Sequence, residues 1–390
     1  MGLDRMKIGV LSPTTWQFME KMAALFSQGI EVVGPVFDNE DYWKKYYGLK
    51  TNDWRELGLR VSFNIAPYSD IDFSDYDVLI ESVETFHYAK DWINHCHRAE
   101  CPILLKSCWT RDPITTLPLE YVRKVRDFPV LLEMPAHARF WKSAGFSDVS
   151  VIFNPVGDWW FDREWTGAKE QVLFVLFGTR HWRGNPARYG FDIWEKLSRT
   201  FPDKTYHHDG YERYKTAKQM TDLFAESRVF VNLDCPYGQG ERPLTLAFTE
   251  ALSAGLPVVA RDLPGLSYKD FIDSNGVCTN DFEVMCSFIS NCLADLDFAR
   301  KCGTRSREIA RQAFSCEVLR PEYHELIKRA QEVFERKRQQ RKSILEKWPS
   351  RYDLPYFLPK FVRRRFLQRR QHGLHLITSL LRCRDPITRS

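Results

Sequence analysis

A chain of 390 residues is too long for one ordinary hydrophobic core and predicts two domains. Its 44% hydrophobic and 14% aromatic content excludes the disordered and low-complexity classes. The net charge of +5 is unevenly spread: residues 336–390 carry 16 Lys/Arg against 3 Asp/Glu, a net of +13, which leaves the preceding residues at −8.

The opening run MGLDRMKIGVLSP passes into a strand pattern with no long apolar segment, and no stretch of about 18 uncharged apolar residues follows. Ten cysteines are scattered without a C-x-x-C pair. Together these features predict a cytoplasmic protein with reduced thiols.

In chain order, Lys7–Ser12 reads as a first buried strand. Trp16–Phe26 has helical spacing through Phe18, Met19, Met22, Leu25 and Phe26, ending near Gly29, and Ile30–Phe37 reads as a second strand. The segment Asp38–Asn64, rich in Tyr, Trp and charge, shows no clear period. Strands are predicted at Tyr76–Ile80, Pro102–Lys106, Val130–Leu132 and Val149–Phe153, with helices at Thr85–Arg98, Leu119–Val125 and His137–Ala144. The turn Asn154-Pro155-Val156-Gly157-Asp158 interrupts this alternation, which restarts at Val172–Phe177. Helix Phe191–Thr200, a strand near Thr205, helix Lys218–Glu226 and strand Val229–Leu233 follow. Next comes GERPLTLAFTEALSAGLPVVARDLPGL (Gly240–Leu266): a polar loop, a helix of Leu244, Phe248, Ala251 and Leu252 stopping at Gly255, a strand Leu256–Ala260, and a loop from Arg261 to Gly265. Helices run from Asp281 through Glu335. Such alternation predicts doubly wound parallel sheets, whose ligands bind beyond the strand C-termini. The helix start in Gly240–Leu266 offers free N–H groups and a positive dipole end suited to a phosphate.

Several stretches, in order, resemble one family. Ala138-Arg139-Phe140-Trp141-Lys142-Ser143-Ala144-Gly145, then VSVIFNPVGDWWF, resembles an interdomain entry ending in an "IPNGVD…F" turn. Phe177-Gly178-Thr179-Arg180-His181-Trp182-Arg183-Gly184 is similar to a strand followed by "GR…KG", and MTDLFAESRVFVNL (Met220–Leu233) to the helix and strand before a donor site. EALSAGLPVVA (Glu250–Ala260) is close to "EAMACGxPVVA", while Asn275-Gly276-Val277 and Ala313-Phe314-Ser315 resemble an "NG" turn and a terminal "FS" signature. The ordered set, over roughly residues 135–335, resembles glycosyltransferase family 4, the retaining nucleotide-sugar enzymes of the GT-B type.

The resemblance implies an α/β fold of two facing Rossmann-like domains (GT-B) with a cleft between them and a basic C-terminal helical extension. The implied boundaries are 1–157 for acceptor binding, 158–335 for nucleotide-sugar binding, and 336–390 for the extension. The activity implied is transfer of a hexose-type sugar from a UDP- or GDP-sugar to a glycan or lipid-linked acceptor, with retention and with no metal or other cofactor required. Cationic side chains and a helix N-terminus then neutralise the diphosphate. By resemblance, donor binding falls to Gly178, Arg180, Arg183, Glu241, Leu244, Thr245, Leu246 and Glu250. Glu241 and Glu250 stand nine apart where the family's pair stands eight apart, which puts Arg242 at the strict position. Thr14, Thr15 and Trp16 replace the family's Gly-rich loop and, with Trp109, are acceptor-binding candidates. The family's first-domain histidine is missing from Lys106–Arg111. His87 is the catalytic candidate on that side, beside Glu241 as the other. A structural role is open for each of these residues, core packing for the tryptophans above all.

The tail combines Arg clusters with Phe361, Val362, Phe366, Leu367, Leu374, Leu376, Ile377, Leu380 and Leu381, a pattern suited as a helix to an anionic membrane surface, such as the inner face of a membrane. A solvated or partner-binding tail fits the same composition. Two other functions remain open: a glucosyltransferase acting on modified DNA, its tail holding the duplex, and a catalytically silent GT-B binding or assembly protein.

Overall fold

A computed structural model describes residues 5–11, 16–34, 41–83, 101–107, 110–176, 190–209, 213–233, 244–262 and 267–346. The chain divides into two units, Met1–Phe334 and Glu335–Ser390. Both sheets lie in the first.

The first sheet has seven parallel strands in the order β3-β2-β1-β4-β5-β6-β7. They are β1 (Ile8–Leu11), β2 (Ile30–Val33), β3 (Val61–Asn64), β4 (Val78–Ser82), β5 (Ile103–Ser107), β6 (Val130–Leu132) and β7 (Val149–Val151). The central strands β1, β4, β5 and β6 are buried along their whole length, as parallel strands covered on both faces must be. Described helices of this half are α1 (Trp16–Leu25), α2 (Asp41–Glu56), α3 (Pro113–Thr116), α4 (Leu119–Val125) and α5 (Ala138–Ser143). The unassigned segment Asp38–Asn64 thus contains α2 and β3. The expected helix Thr85–Arg98 lies outside the described residues.

After the short helix α6 (Trp159–Asp162), the second sheet has five parallel strands in the order β12-β11-β10-β8-β9. Its strands are β8 (Lys169–Val175), β9 (Thr205–His208), β10 (Ser227–Asn232), β11 (Val258–Ala260) and β12 (Gly276–Cys278). Helices α7 (Phe191–Thr200), α8 (Ala217–Glu226), α9 (Leu246–Ala254), α10 (Phe282–Ala294) and α11 (Leu296–Phe314) accompany it. β8 begins earlier than the expected Val172, and its first residues escape an apolar pattern because they are polar: Lys169 and Glu170 pair with Glu226 and Lys204 at the surface. Gly190 opens α7 at φ +72°, where an added Cβ would lie 2.1 Å from the Leu233 carbonyl, so only glycine lets the helix start against the end of β10.

The final helix α12 (Cys316–Glu346) joins the core of the first sheet. Leu319, Tyr323, Leu326 and Ile327 are buried against α1 and the β1–β4 strands. Burial of each of the aliphatic three is worth about 1.5–3 kcal/mol. Arg320 Nε donates to the Leu25 carbonyl at 2.8 Å. At the junction, Val156 N donates to Phe314 O at 2.8 Å and Cys316 Sγ to Val156 O at 3.4 Å.

Candidate functional site

In the second sheet the chain reverses its winding between β8 and β10, and this switch point defines the crevice beyond the strand ends. Strand register there sets Cys278 opposite Ala260, Ala260 opposite Asn232, and Val175 opposite His208. Asn232 is buried (6% exposed). Its Oδ1 accepts from Thr245 Oγ1 at 3.2 Å, while its Nδ2 has no partner among the described residues. A buried amide left half satisfied at a strand end is a group waiting for an acceptor.

Thr245 is the N-cap of α9, its hydroxyl accepting from Phe248 N at 3.3 Å and its own N–H donating to Tyr268 Oη at 3.3 Å. The N–H groups of Leu246 and Ala247 have no partner among the described residues. An anion at this helix end would meet both N–H groups and the dipole. Leu244 is buried and anchors the entry. Gly255, at φ +82°, ends the helix as the sequence predicts.

Glu250 sits one turn into α9 with its side chain 17% exposed. Burial pushes its carboxyl above the ordinary carboxylate value, and Lys21 pulls the other way. Lys21 belongs to α1 beside the first sheet. Its ammonium, itself buried, lies 3.8 Å from Glu250 Oε1 and donates to the Pro155 carbonyl at 3.2 Å. Nearby, the Asp53 carboxylate of α2 accepts from Ala217 N at 3.0 and 2.8 Å, at the first turn of α8, and from Tyr214 at 3.3 Å. Lys50 lies 3.8 Å from Asp53 and 3.5 Å from Glu20, whose carboxylate also accepts from Trp54 Nε1 at 3.0 Å. A run of charged groups thus joins α1 and α2 to α8 and α9.

Two further polar groups line the second-sheet edge. Arg261, directly after β11, has an Nε without a partner among the described residues. His208 ends β9 with Nδ1 equally unpartnered, and burial lowers its pKa to about 4, so the imidazole is neutral. At the first-sheet edge, Lys106 and Glu133 form a buried ion pair, and the Lys106 ammonium stands 4.6 Å from the Phe18 ring centroid. Tyr121 donates to the buried Glu81 at 2.6 Å. His137 is buried there too, its pKa lowered to about 4 by burial and by Arg111.

Of the residues singled out by sequence, Leu244, Thr245, Leu246 and Glu250 therefore share one helix start, and Trp16 opens α1. Thr14, Thr15, His87, Trp109, Gly178, Arg180, Arg183 and Glu241 lie outside the described residues. Asn232, Arg261, His208 and Lys21 were not anticipated. Asn232 and Arg261 had one visible signal each, a polar residue at the end of an apolar run; His208 had none, since it closes the polar strand Thr205–His208.

No family model matches the sequence, and no curated protein matches it. Solved structures do. HepE from Anabaena, in a complex with UDP and glucose, is similar at TM-score 0.56 and 14% identity, with 83% of this chain and 100% of that chain covered. A glycosyltransferase from Rickettsia africae is similar at TM-score 0.54 and 11% identity, covering 83% and 98%. Sucrose-phosphate synthase from Thermosynechococcus elongatus is similar at TM-score 0.51 and 12% identity, also covering 83% and 98%. Identities this low speak to the fold alone. Two parallel sheets in these orders, on a scaffold shared with those proteins, give this chain the GT-B fold.

Proposed function

We propose that this protein is a glycosyltransferase that moves a sugar from a UDP- or GDP-sugar to a glycan or lipid-linked acceptor, with retention of configuration. The observation that carries the reading is the open start of α9: free N–H groups on Leu246 and Ala247 beside the half-satisfied amide of the buried Asn232. That combination suits a diphosphate, and Glu250 on the same helix suits a pair of ribose hydroxyls. HepE, on the same fold, was solved with UDP-glucose.

In this reading the bond from the sugar C1 to the diphosphate oxygen breaks as the acceptor oxygen bonds C1 on the same face. The departing phosphate oxygen takes the acceptor's proton, so no separate protein base is required. Arg180 and Arg183, in the segment after β8, are assigned to neutralise the leaving diphosphate. Residues 1–157 take the acceptor, residues 158–335 the donor, and residues 336–390 dock on an anionic membrane surface. Glu241, His87, Thr14, Thr15, Trp16 and Trp109 keep the roles their sequence positions suggest.

A thermal-shift screen against UDP- and GDP-sugars tests the reading, because a ligand bound only by the folded state raises apparent stability by mass action. One donor should bind saturably, weakened at least about tenfold by Glu250→Ala or Arg183→Ala, the equivalent of about 1.4 kcal/mol. Transfer by that donor should then yield a product whose anomeric configuration, read by NMR coupling, matches the donor's. Absence of saturable binding to any donor would leave a silent binding module as the description of this fold.

A further inference from the structure

We propose that a cavity at the opposite edge of the first sheet is a second anion site, one that binds a phosphate-bearing ligand. The cavity, of about 710 Å³, opens where β1, β2 and β3 begin and α2 ends. It therefore lies at the strand N-termini, away from the strand C-termini that carry the candidate donor and acceptor groups. Its wall includes Arg5, Lys7, Arg55 and Arg60 with a single acid, Glu31.

That acid is already engaged. Lys7 Nζ lies 3.3 Å from Glu31 Oε2, and Tyr76 donates its hydroxyl to the same carboxylate. Lys7 also stands 4.4 Å from the Tyr76 ring centroid, which fixes it at the wall. Arg5 and Arg60 have no ion-pair partner among the described residues. With Lys7 paired to Glu31, the exposed Arg5, Arg55 and Arg60 leave the wall with a net positive charge, and guanidinium groups offer the forked donors that phosphate oxygens accept. The α2 C-terminus would oppose an anion through its carbonyls. Its last turn is closed by Leu57 N to Asp53 O, Gly58 N to Arg55 O and Leu59 N to Trp54 O, so those carbonyls are occupied. The volume exceeds a bare phosphate and falls in the range of small-molecule sites, so the ligand is a phosphate carrying an organic body. A soluble phosphate ester and a phospholipid headgroup share that chemistry.

The test uses the full chain and two probes. Inorganic pyrophosphate is titrated calorimetrically into the wild type, R5Q/R60Q and Ser62→Trp, the last filling the cavity while leaving its charge. Co-sedimentation with phosphatidylcholine vesicles containing phosphatidylglycerol is measured for the same three proteins. Each variant's melting temperature confirms that it is folded. Pyrophosphate binding should weaken about tenfold or more in both variants, and in the wild type as salt rises. Loss in the pyrophosphate arm alone identifies a soluble ligand. A parallel loss of vesicle binding, competed by pyrophosphate, identifies a headgroup. Isotherms and vesicle binding that are the same in all three proteins would overturn the proposal. These variants leave α9 and Glu250 untouched, so any pyrophosphate bound at α9 is common to all three proteins and the difference between them reports the cavity alone.

Discussion

Glu250 is held by two opposing influences, and pH separates them. A carboxyl kept above its unfolded value makes the folded chain the better proton binder between the two values. Ionising it then subtracts stability as pH rises from about 4.3, the value of a free glutamate. Glu250→Gln should therefore gain on the wild type between pH 5 and pH 7.5 in urea denaturation. A variant that instead loses ground over that interval would show that Lys21 outweighs burial. Asn232 makes a complementary case. Asn232→Ala removes one hydrogen bond to Thr245 and one unsatisfied buried N–H₂ group, so unfolding free energy should change by less than about 1 kcal/mol while donor affinity falls about tenfold. Glu250 was legible in the sequence because its surroundings form a continuous motif. Lys21 was not: it lies on α1, more than two hundred residues earlier in the chain, and only tertiary packing brings it within 3.8 Å. Asn232 was visible only as one polar residue within the expected strand Val229–Leu233, and nothing in the sequence tells which polar residue at a strand end lacks a partner.

At the scale of elements, the expected spans Leu119–Val125 and Phe191–Thr200 coincide with α4 and α7. α7 shows why: a glycine fixes its start, and Trp194 and Leu197 bury one face. α2 escaped the same reasoning. Among its described side chains the buried ones are Asp53 and Trp54, which are adjacent and make no stripe at helical spacing. Its role is also not apolar, since Asp53 reaches across to the first turn of α8. Asp53→Ala should cost about 1–2 kcal/mol in urea denaturation, because Ala217 N–H loses a buried charged acceptor. Asp53→Asn, which keeps one acceptor oxygen, should recover part of that loss. Gly255 ends α9 at a positive φ, so Gly255→Ala should cost about 1–2 kcal/mol by left-handed strain alone. The cost should appear in the unfolding midpoint, with the circular dichroism of the folded state unchanged.

For the whole molecule, the alternation of apolar runs and helical periods was enough to anticipate two parallel sheets, because buried parallel strands leave that signature. Periodicity does not encode which sheet a late helix returns to, and α12 returns to the first. The basic tail is a separate matter. In the proposed docking on an anionic surface, each of the 16 Lys/Arg in residues 336–390 that came near the surface would add about 1 kcal/mol. Deleting residues 347–390 should lower co-sedimentation with phosphatidylglycerol vesicles several-fold and leave the melting temperature of the remainder within about 2 °C.

The return of α12 has a consequence for the order in which the protein is made. During synthesis, strands β1 to β7 emerge long before Leu319, Tyr323, Leu326 and Ile327, which complete their core. The second sheet must be translated in between. The nascent first half therefore waits with an uncovered apolar face, in a state that a chaperone would recognise and a protease would cut. Chains stalled with only residues 1–300 outside the ribosome should thus be cleaved within the first half, and chains exposing residues 1–346 should resist.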